Sequence, residues 1–341
     1  MEDVEVIAVT GDFKRDTWGQ RRVLVTGATG MVGSWVCREL VARNAFVVAL
    51  VADSDPNSEL IRSGVINQVT VVNGRLEYYD DVERSINNHE IDTVIHLGAQ
   101  PIVGAADRAP RHTFESNIQG TWNVLDACRV LNPLVKRIVV ASSDKAYGTQ
   151  PVLPYTENMS LSGDHPYEVS KSCTDLIATT YARTYGLPVT IARCGNIYGG
   201  GDLNWNRIVP GMFKSFIRNE VPVLRSDGTF IRDYLHVSDI VNAYLTLADR
   251  SDDPDLAGEA FNFSDESPIT VLQIFEAMRV VAGKPDVEPK ILNTAQAEIK
   301  DQYLDATKAR EVLGWEASLS LNDGLTKTYE WYLEFLEEVG S

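Results

Sequence analysis

The stretch RRVLVTGATGMVGSW, residues 21–35, decides the fold. A β-branched apolar run ends at Thr26, glycines stand at 27, 30 and 33, and an apolar helical pattern follows. A strand with no polar alternation suits a sheet covered on both faces. Glycine lets the backbone turn tightly and come close to a ligand. The amides that open the following helix can then receive a pyrophosphate. Strand, glycine turn and helix together point to a dinucleotide site built from Gly27, Thr29, Gly30, Met31, Val32 and Gly33. The alternative is a strand-to-helix turn with no ligand.

Outward from this stretch the same alternation repeats. AFVVALVA (45–52), VTVVNG (69–74), DTVIHLGA (92–99), KRIVVASS (136–143) and LPVTIARC (187–194) read as buried strands. Helical patterns lie between them at 31–43, 80–88, 112–131 and 166–185, the last bounded by Pro166 and Gly186. This is an α/β chain with a Rossmann-type, doubly wound parallel sheet. Past residue 195 the texture changes: GNIYGGGDLNWN (195–206) is rich in Gly, Asn and Asp, and helices become intermittent. The expected division is an NAD-binding domain over 20–194 and a smaller mixed α/β substrate lobe over 195–341, with a soft boundary. LNDGLTKTYEWYLEFLEEV reads as a packed terminal helix.

Composition narrows the function. The 341 residues are 44% hydrophobic, and 48 Asp and Glu against 31 Lys and Arg give a net charge of −17. Such a surface repels phosphate backbones and anionic lipid, which argues against nucleic-acid and membrane partners. No apolar run approaches the roughly 20 residues of a membrane helix. The acidic start MEDVEVIAV lacks the basic head of a secretory signal, so a cytoplasmic location is expected. Cys37, Cys128, Cys173 and Cys194 are too scattered for a zinc site or a disulfide framework and read as small core hydrophobes. The five histidines form no ligand-like cluster, and no metal is expected.

The second strand ends at Ala52-Asp53-Ser54-Asp55, about 20 residues past the glycines, where a carboxylate can take the ribose hydroxyls of NAD. No Lys or Arg lies between Arg43 and Arg62 to receive a 2′-phosphate. This favours NAD, with Asp53 ahead of Asp55; a solvated turn aspartate is the alternative. Tyr167 and Lys171, four apart in YEVSK, share one helix face. An ammonium about 4 Å from the phenol would stabilise phenolate by roughly 4 kcal/mol at an effective dielectric of 20 and lower its pKa. The phenolate would then take a proton from a sugar hydroxyl, with Ser143, at the end of the strand before it, hydrogen-bonded to the same oxygen.

GATGMVG, SSDKAYG, YEVSK, RCGNIYGGG and GTFIRDYLHV together resemble the extended short-chain dehydrogenase/reductase family acting on nucleotide sugars, over about residues 20–335. WGQRRVLVTG with GSW, HLGAQPIV, FESNIQGTWNVLDACR and GNIYGGGDLNWNRIVPG are similar to CDP-glucose 4,6-dehydratases. GTFIRDYLHV, at the expected nucleotide end, is instead similar to epimerases and dTDP-glucose enzymes. The resemblance implies that Leu97, Ala99, Asn117, Tyr167 and Lys171 also contact the cofactor and that Gln100 reaches sugar or nicotinamide. It further implies that Asn117 supports the active-site helix, that Asn196 contacts sugar or diphosphate, and that Arg207 and Arg232 hold the diphosphate. For each arginine a surface ion pair is the alternative. Helices 112–131 and 166–185 are then expected to form a homodimer interface.

Asp144-Lys145, directly after Ser143, separates dehydratase from epimerase within this resemblance. A dehydratase must move a proton at C5 and expel the C6 hydroxyl. Lys145 is the candidate base and Asp144 the candidate acid; a structural ion pair is the alternative. The expectation is an NAD-dependent lyase, a nucleotide-sugar 4,6-dehydratase converting CDP-glucose to CDP-4-keto-6-deoxyglucose. The rivals are a UDP-hexose type 4-epimerase and a non-catalytic NAD-sensing module, which would leave Ser143, Tyr167 and Lys171 idle.

Overall fold

A computed structural model describes residues 18–294 and 299–340. Among these residues the central feature is a seven-stranded parallel sheet. Its strands are β1 (Arg22–Thr26), β2 (Phe46–Val51), β3 (Thr70–Asn73), β4 (Thr93–His96), β5 (Arg137–Ala141), β6 (Val189–Cys194) and β7 (Ala260–Phe263). The spatial order is β3-β2-β1-β4-β5-β6-β7, reversing direction beside β1. In such sheets ligands bind in the crevice at the carboxyl ends of the strands, where the order reverses.

The helices of nine or more residues are α1 (Met31–Ala42), α2 (Tyr79–Asn87), α3 (Gly120–Val130), α4 (Pro166–Tyr185), α5 (Ile208–Arg218), α6 (Val237–Arg250), α7 (Val271–Val281) and α8 (Leu321–Glu338). One sheet face is covered by α1 and α6, whose Val36, Leu40 and Ile240 pack with Val23 and Val25. The other is covered by α2, α3 and α4, with Ile86, Leu125 and Ala178 against Leu24 and Ile138. Successive residues of β1 thus enter opposite cores, which is why its sequence is apolar throughout. Full burial of each such side chain contributes about 1.5–3 kcal/mol.

The chain beyond residue 195 forms a lobe in which α5, α7 and α8 enclose Phe213, Phe275 and Tyr332. It also returns α6 and β7 to the main sheet, a strand that the sequence reading lacked. Trp35 Nε1 donates to Gly200 O at 2.8 Å and Trp331 Nε1 to Glu59 Oε2 at 2.8 Å, tying the lobe to the region of α1.

The boundaries of α4 match the sequence expectation. Glu168 Oε2 accepts from the backbone N–H of Asp164 and His165, and Gly186 ends the helix at φ +67°. The helix expected over 112–131 is more complicated. A segment at Pro110–Phe114 runs into a π turn at Glu115–Gln119 before α3 begins. Cys37, Cys128 and Cys194 are buried and Cys173 partly so, all as free thiols. Among the described residues no helix is long and apolar enough to cross a membrane.

Candidate active site

The glycine turn is fixed by close backbone contacts. A Cβ at Gly33 would stand 2.1 Å from Gly27 O, and one at Gly27, where φ is +68°, would stand 2.8 Å from Gly98 N. Gly30 precedes α1 with no side-chain cap, so the first-turn amides are left to a ligand. Thr26 Oγ1 accepts from Leu97 N and Gly98 N at 3.1 and 3.0 Å, holding the loop after β4 against the turn.

A cavity of about 210 Å³ at these strand ends brings together Gly27, Thr29, Asp53, Ala99 and Gln100. Gly30, Met31, Val32, Gly33, Leu97 and Asn117 are not on its wall; the first four form the turn and the start of α1, and Thr26 anchors Leu97. The wall also includes Arg75, Glu77 and His112, which no motif marks, and Ser116 from the FESNIQGTWNVLDACR stretch. Arg75 and Glu77 arrive because β3 pairs with β2.

The catalytic candidates gather at the end of β5. Ser143 Oγ donates to Asp144 Oδ1 at 2.8 Å and accepts from Lys145 N at 3.2 Å. Asp144 is buried, and its Oδ2 has no hydrogen-bond partner. Burial pushes its carboxyl above the ordinary range, against the opposing pull of Lys145 and Ser143. Lys145 Nζ does not pair with Asp144; it donates to Gln302 Oε1 at 3.1 Å. The turn is held from beneath by Tyr147, whose hydroxyl donates to Asn262 Oδ1 at 2.7 Å and accepts from Arg193 NH1 at 2.8 Å.

Tyr167 and Lys171 are both buried on α4. The expected lowering of the phenol by Lys171 is reversed. Burial pushes Tyr167 up to about 12, while Arg207 and a hydrogen bond with Ser143 pull it down. Lys171 is itself depressed to about 8 by burial, and its Nζ donates to Ala141 O at 2.8 Å rather than to the phenol. Removing water costs both charged forms, a contribution that helical spacing does not report.

Asn117 lies in the π turn. Its Oδ1 accepts from Gln100 N at 2.6 Å and its Nδ2 donates to Ser170 Oγ at 2.9 Å, linking the cofactor loop to α4. The extra residue of the turn leaves Asn117 O free to accept from Thr121 Oγ1 and Thr174 Oγ1.

The two arginines expected to hold diphosphate differ. Arg207, before α5, donates to Asp202 Oδ2 at 3.0 Å and acts electrostatically on Tyr167, which sets it at the site. Arg232 is buried, with its fork engaged by the carbonyls of Ile231, Lys300 and Ile299. Arg207 thus makes the ion pair of the alternative reading, though with a buried partner, whereas Arg232 pairs with carbonyls and, among the described residues, with no carboxylate. Asn196 Nδ2 reaches Asp233 O at 3.4 Å. Asp233 was missed by the sequence reading. It is buried, its Oδ2 accepts from Leu304 N, its Oδ1 is unpartnered, and burial with the nearby Asp144 raises it to about 7.

Comparison with known proteins agrees with this architecture. A CDP-glucose 4,6-dehydratase from Salmonella typhimurium is 28% identical over 334 residues, covering 93% of this chain and 92% of its own. A UDP-glucuronate 4-epimerase from Thermodesulfobacterium geofontis is also 28% identical, covering 93% and 98%. Among solved structures, the UDP-glucose 4-epimerase of Thermotoga maritima with UDP-glucose superposes with a TM-score of 0.84 at 29% identity, covering 92% and 99%. A dTDP-glucose 4,6-dehydratase from Streptomyces venezuelae with NAD bound gives 0.82 at 26%, covering 93% and 98%. The family model described as NAD dependent epimerase/dehydratase matches residues 23–263, well over half of the sequence. With the glycine turn, the Asp53 cavity and the Ser143–Tyr167–Lys171 cluster in place, the chain belongs to the NAD dependent epimerase/dehydratase family.

Proposed function

We propose that the protein is a nucleotide-sugar 4,6-dehydratase, a lyase whose substrate is CDP-glucose and whose product is CDP-4-keto-6-deoxyglucose. The observation that carries this reading is Asp144: a buried carboxyl, bonded from Ser143, with one oxygen unpartnered beside the catalytic cluster. A carboxyl whose hold on its proton is strengthened by burial is suited to act as an acid. A 4-epimerase moves no proton at C5 or C6 and has no task for it.

Bound NAD would accept the hydride from C4 and return it to C6, and its oxidised ring would add a positive charge near the phenol. Within this reading the protein's own groups manage the protons. Tyr167 takes the C4 hydroxyl proton, helped by Ser143 on the same oxygen and by the positive charge of Arg207 and Lys171. The new ketone acidifies C5, and Lys145 removes that proton and returns it to C5 as hydride arrives at C6, while the proton Tyr167 holds makes good, through solvent, the one Asp144 gives up. Asp144 gives its proton to the departing C6 hydroxyl, which leaves as water. Arg207 faces the diphosphate, a role its guanidinium fork suits. Arg232 braces the segment around residue 300, and Gln100 and Asn196 contact the sugar.

The two lobes, 20–194 and 195–341, remain our proposed division, with α6 and β7 lent back to the first. A homodimer through the helices at 112–131 and 166–185 is proposed as well. Supporting it, Trp122 and Val130 on α3 and Leu176 and Tyr185 on α4 are exposed.

The test is incubation with CDP-, dTDP-, UDP- and GDP-hexoses followed by mass spectrometry. Loss of one water from CDP-glucose is expected. An isomer of unchanged mass would replace this reading with a 4-epimerase, and loss of water from another nucleotide sugar would replace the base.

A further inference from the structure

The absence of Lys and Arg between Arg43 and Arg62 leaves the cofactor ribose without a sequence-local cation. The sheet supplies one from elsewhere. In the parallel pairing of β2 with β3, Val51 stands opposite Asn73, and Gly74 N extends the ladder to Val51 O at 3.0 Å. Two residues further, Asp53 and Arg75 leave adjacent strand ends, and both line the cavity that begins at Gly27 and Thr29. The backbone of Arg75 is pinned, its N–H donating to Asp81 Oδ2 at 3.0 Å. Its guanidinium is half-exposed and lies 3.5 Å from Glu77, on the same loop.

We infer that Asp53 and Arg75 form an opposed pair that decides the cofactor's 2′ substituent. Asp53 accepts from the ribose hydroxyls and repels a 2′-phosphate. Arg75, one strand over, is a latent site for that phosphate, since a guanidinium fork matches phosphate geometry. NAD selectivity then rests on the exposed Asp53 carboxylate acting against a cation already in the cavity, one that Glu77 pairs at 3.5 Å and would yield to a phosphate. Removing the carboxylate uncovers a site for a 2′-phosphorylated dinucleotide without any basic residue being added.

The experiment is a cofactor exchange on the purified holoenzyme. Wild type, Asp53→Ser, Arg75→Ala and the double variant are each incubated with equimolar NAD and NADP, desalted and denatured, and the released dinucleotides are counted. Asp53→Asn, which keeps the shape of the side chain, runs in parallel as a second uncharged variant. Wild type and Arg75→Ala should carry NAD. Asp53→Ser and Asp53→Asn should raise the NADP-to-NAD ratio at least tenfold, and adding Arg75→Ala should reverse most of that rise. The inference is overturned if both Asp53 variants keep the wild-type ratio. It is equally overturned if the double variant carries as much NADP as Asp53→Ser alone, since the phosphate would then be held by something other than Arg75.

Discussion

Lys145 Nζ donates to Gln302 Oε1 at 3.1 Å, joining the turn after β5 to a segment 157 residues away. Gln302 is fully buried and its Nε2 has no partner, so the amide is ordered by the lysine alone on one side. The bond engages Lys145 with Gln302 rather than with Asp144, in keeping with the proposal that the two act as separate proton carriers. Lys145→Ala should therefore still oxidise C4 but stall, accumulating a 4-keto hexose that retains its C6 oxygen. Exchange of the C5 hydrogen with deuterated solvent should fall in the same variant. Elimination and exchange at the wild-type rate would make Lys145 structural.

Tyr167 has no substitute at its position. Tyr167→Phe should keep its NAD and its fold, because it removes one hydroxyl and leaves the buried ring in place. Hydride transfer should drop by roughly 10²–10⁴-fold, the usual contribution of a positioned acid–base group. Single-turnover reduction of bound cofactor measures this directly, and a near wild-type rate would remove Tyr167 from the chemistry.

Asp233 gives a pH signature that can be read without substrate. Its folded pKa of about 7 lies above its ordinary value of 3.8. Between these values the folded chain holds a proton that the unfolded chain has lost, so its contribution to stability declines as pH rises and stays lost above 7. Asp233→Asn should thus be more stable than wild type at pH 8, by on the order of 4 kcal/mol, with the gain vanishing near pH 4. Chemical denaturation at the two pH values provides the comparison; an equal difference at both would contradict the assignment.

The proposed dimer face rests on apolar side chains of two adjacent helices. Leu176 is 58% exposed and Trp122 43% exposed. Leu176→Glu with Trp122→Glu should halve the mass seen by light scattering while leaving the fold intact. An unchanged mass would exclude this face.

The sequence alone determined the features governed by neighbours along the chain. The glycine turn was legible because Gly33 faces the backbone of Gly27 and Ala28 within the same strand–turn–helix unit, whereas the close approach of Gly27 to Gly98, from the loop after β4, is visible only in the fold. Strands β1, β2, β4, β5 and β6 were legible because successive residues enter two cores, and α4 because Pro166 and Gly186 punctuate it; β3 was expected to be buried, but as the edge strand it is half-exposed, with Val71 facing solvent. The tertiary structure decided what depends on contacts between distant segments. It reversed the expected titration of Tyr167, since burial is set by every element packed around the phenol and not by its helix. It brought Gln302 to Lys145, Asp233 to Asp144 and Arg75 to the level of Asp53, each across a gap in sequence that no local period spans. It also added β7, four residues whose polar Asn262 hides a strand until the Tyr147 hydroxyl is seen donating to it. Local spacing fixes direction and period, whereas desolvation and charge coupling depend on what the fold packs around each group.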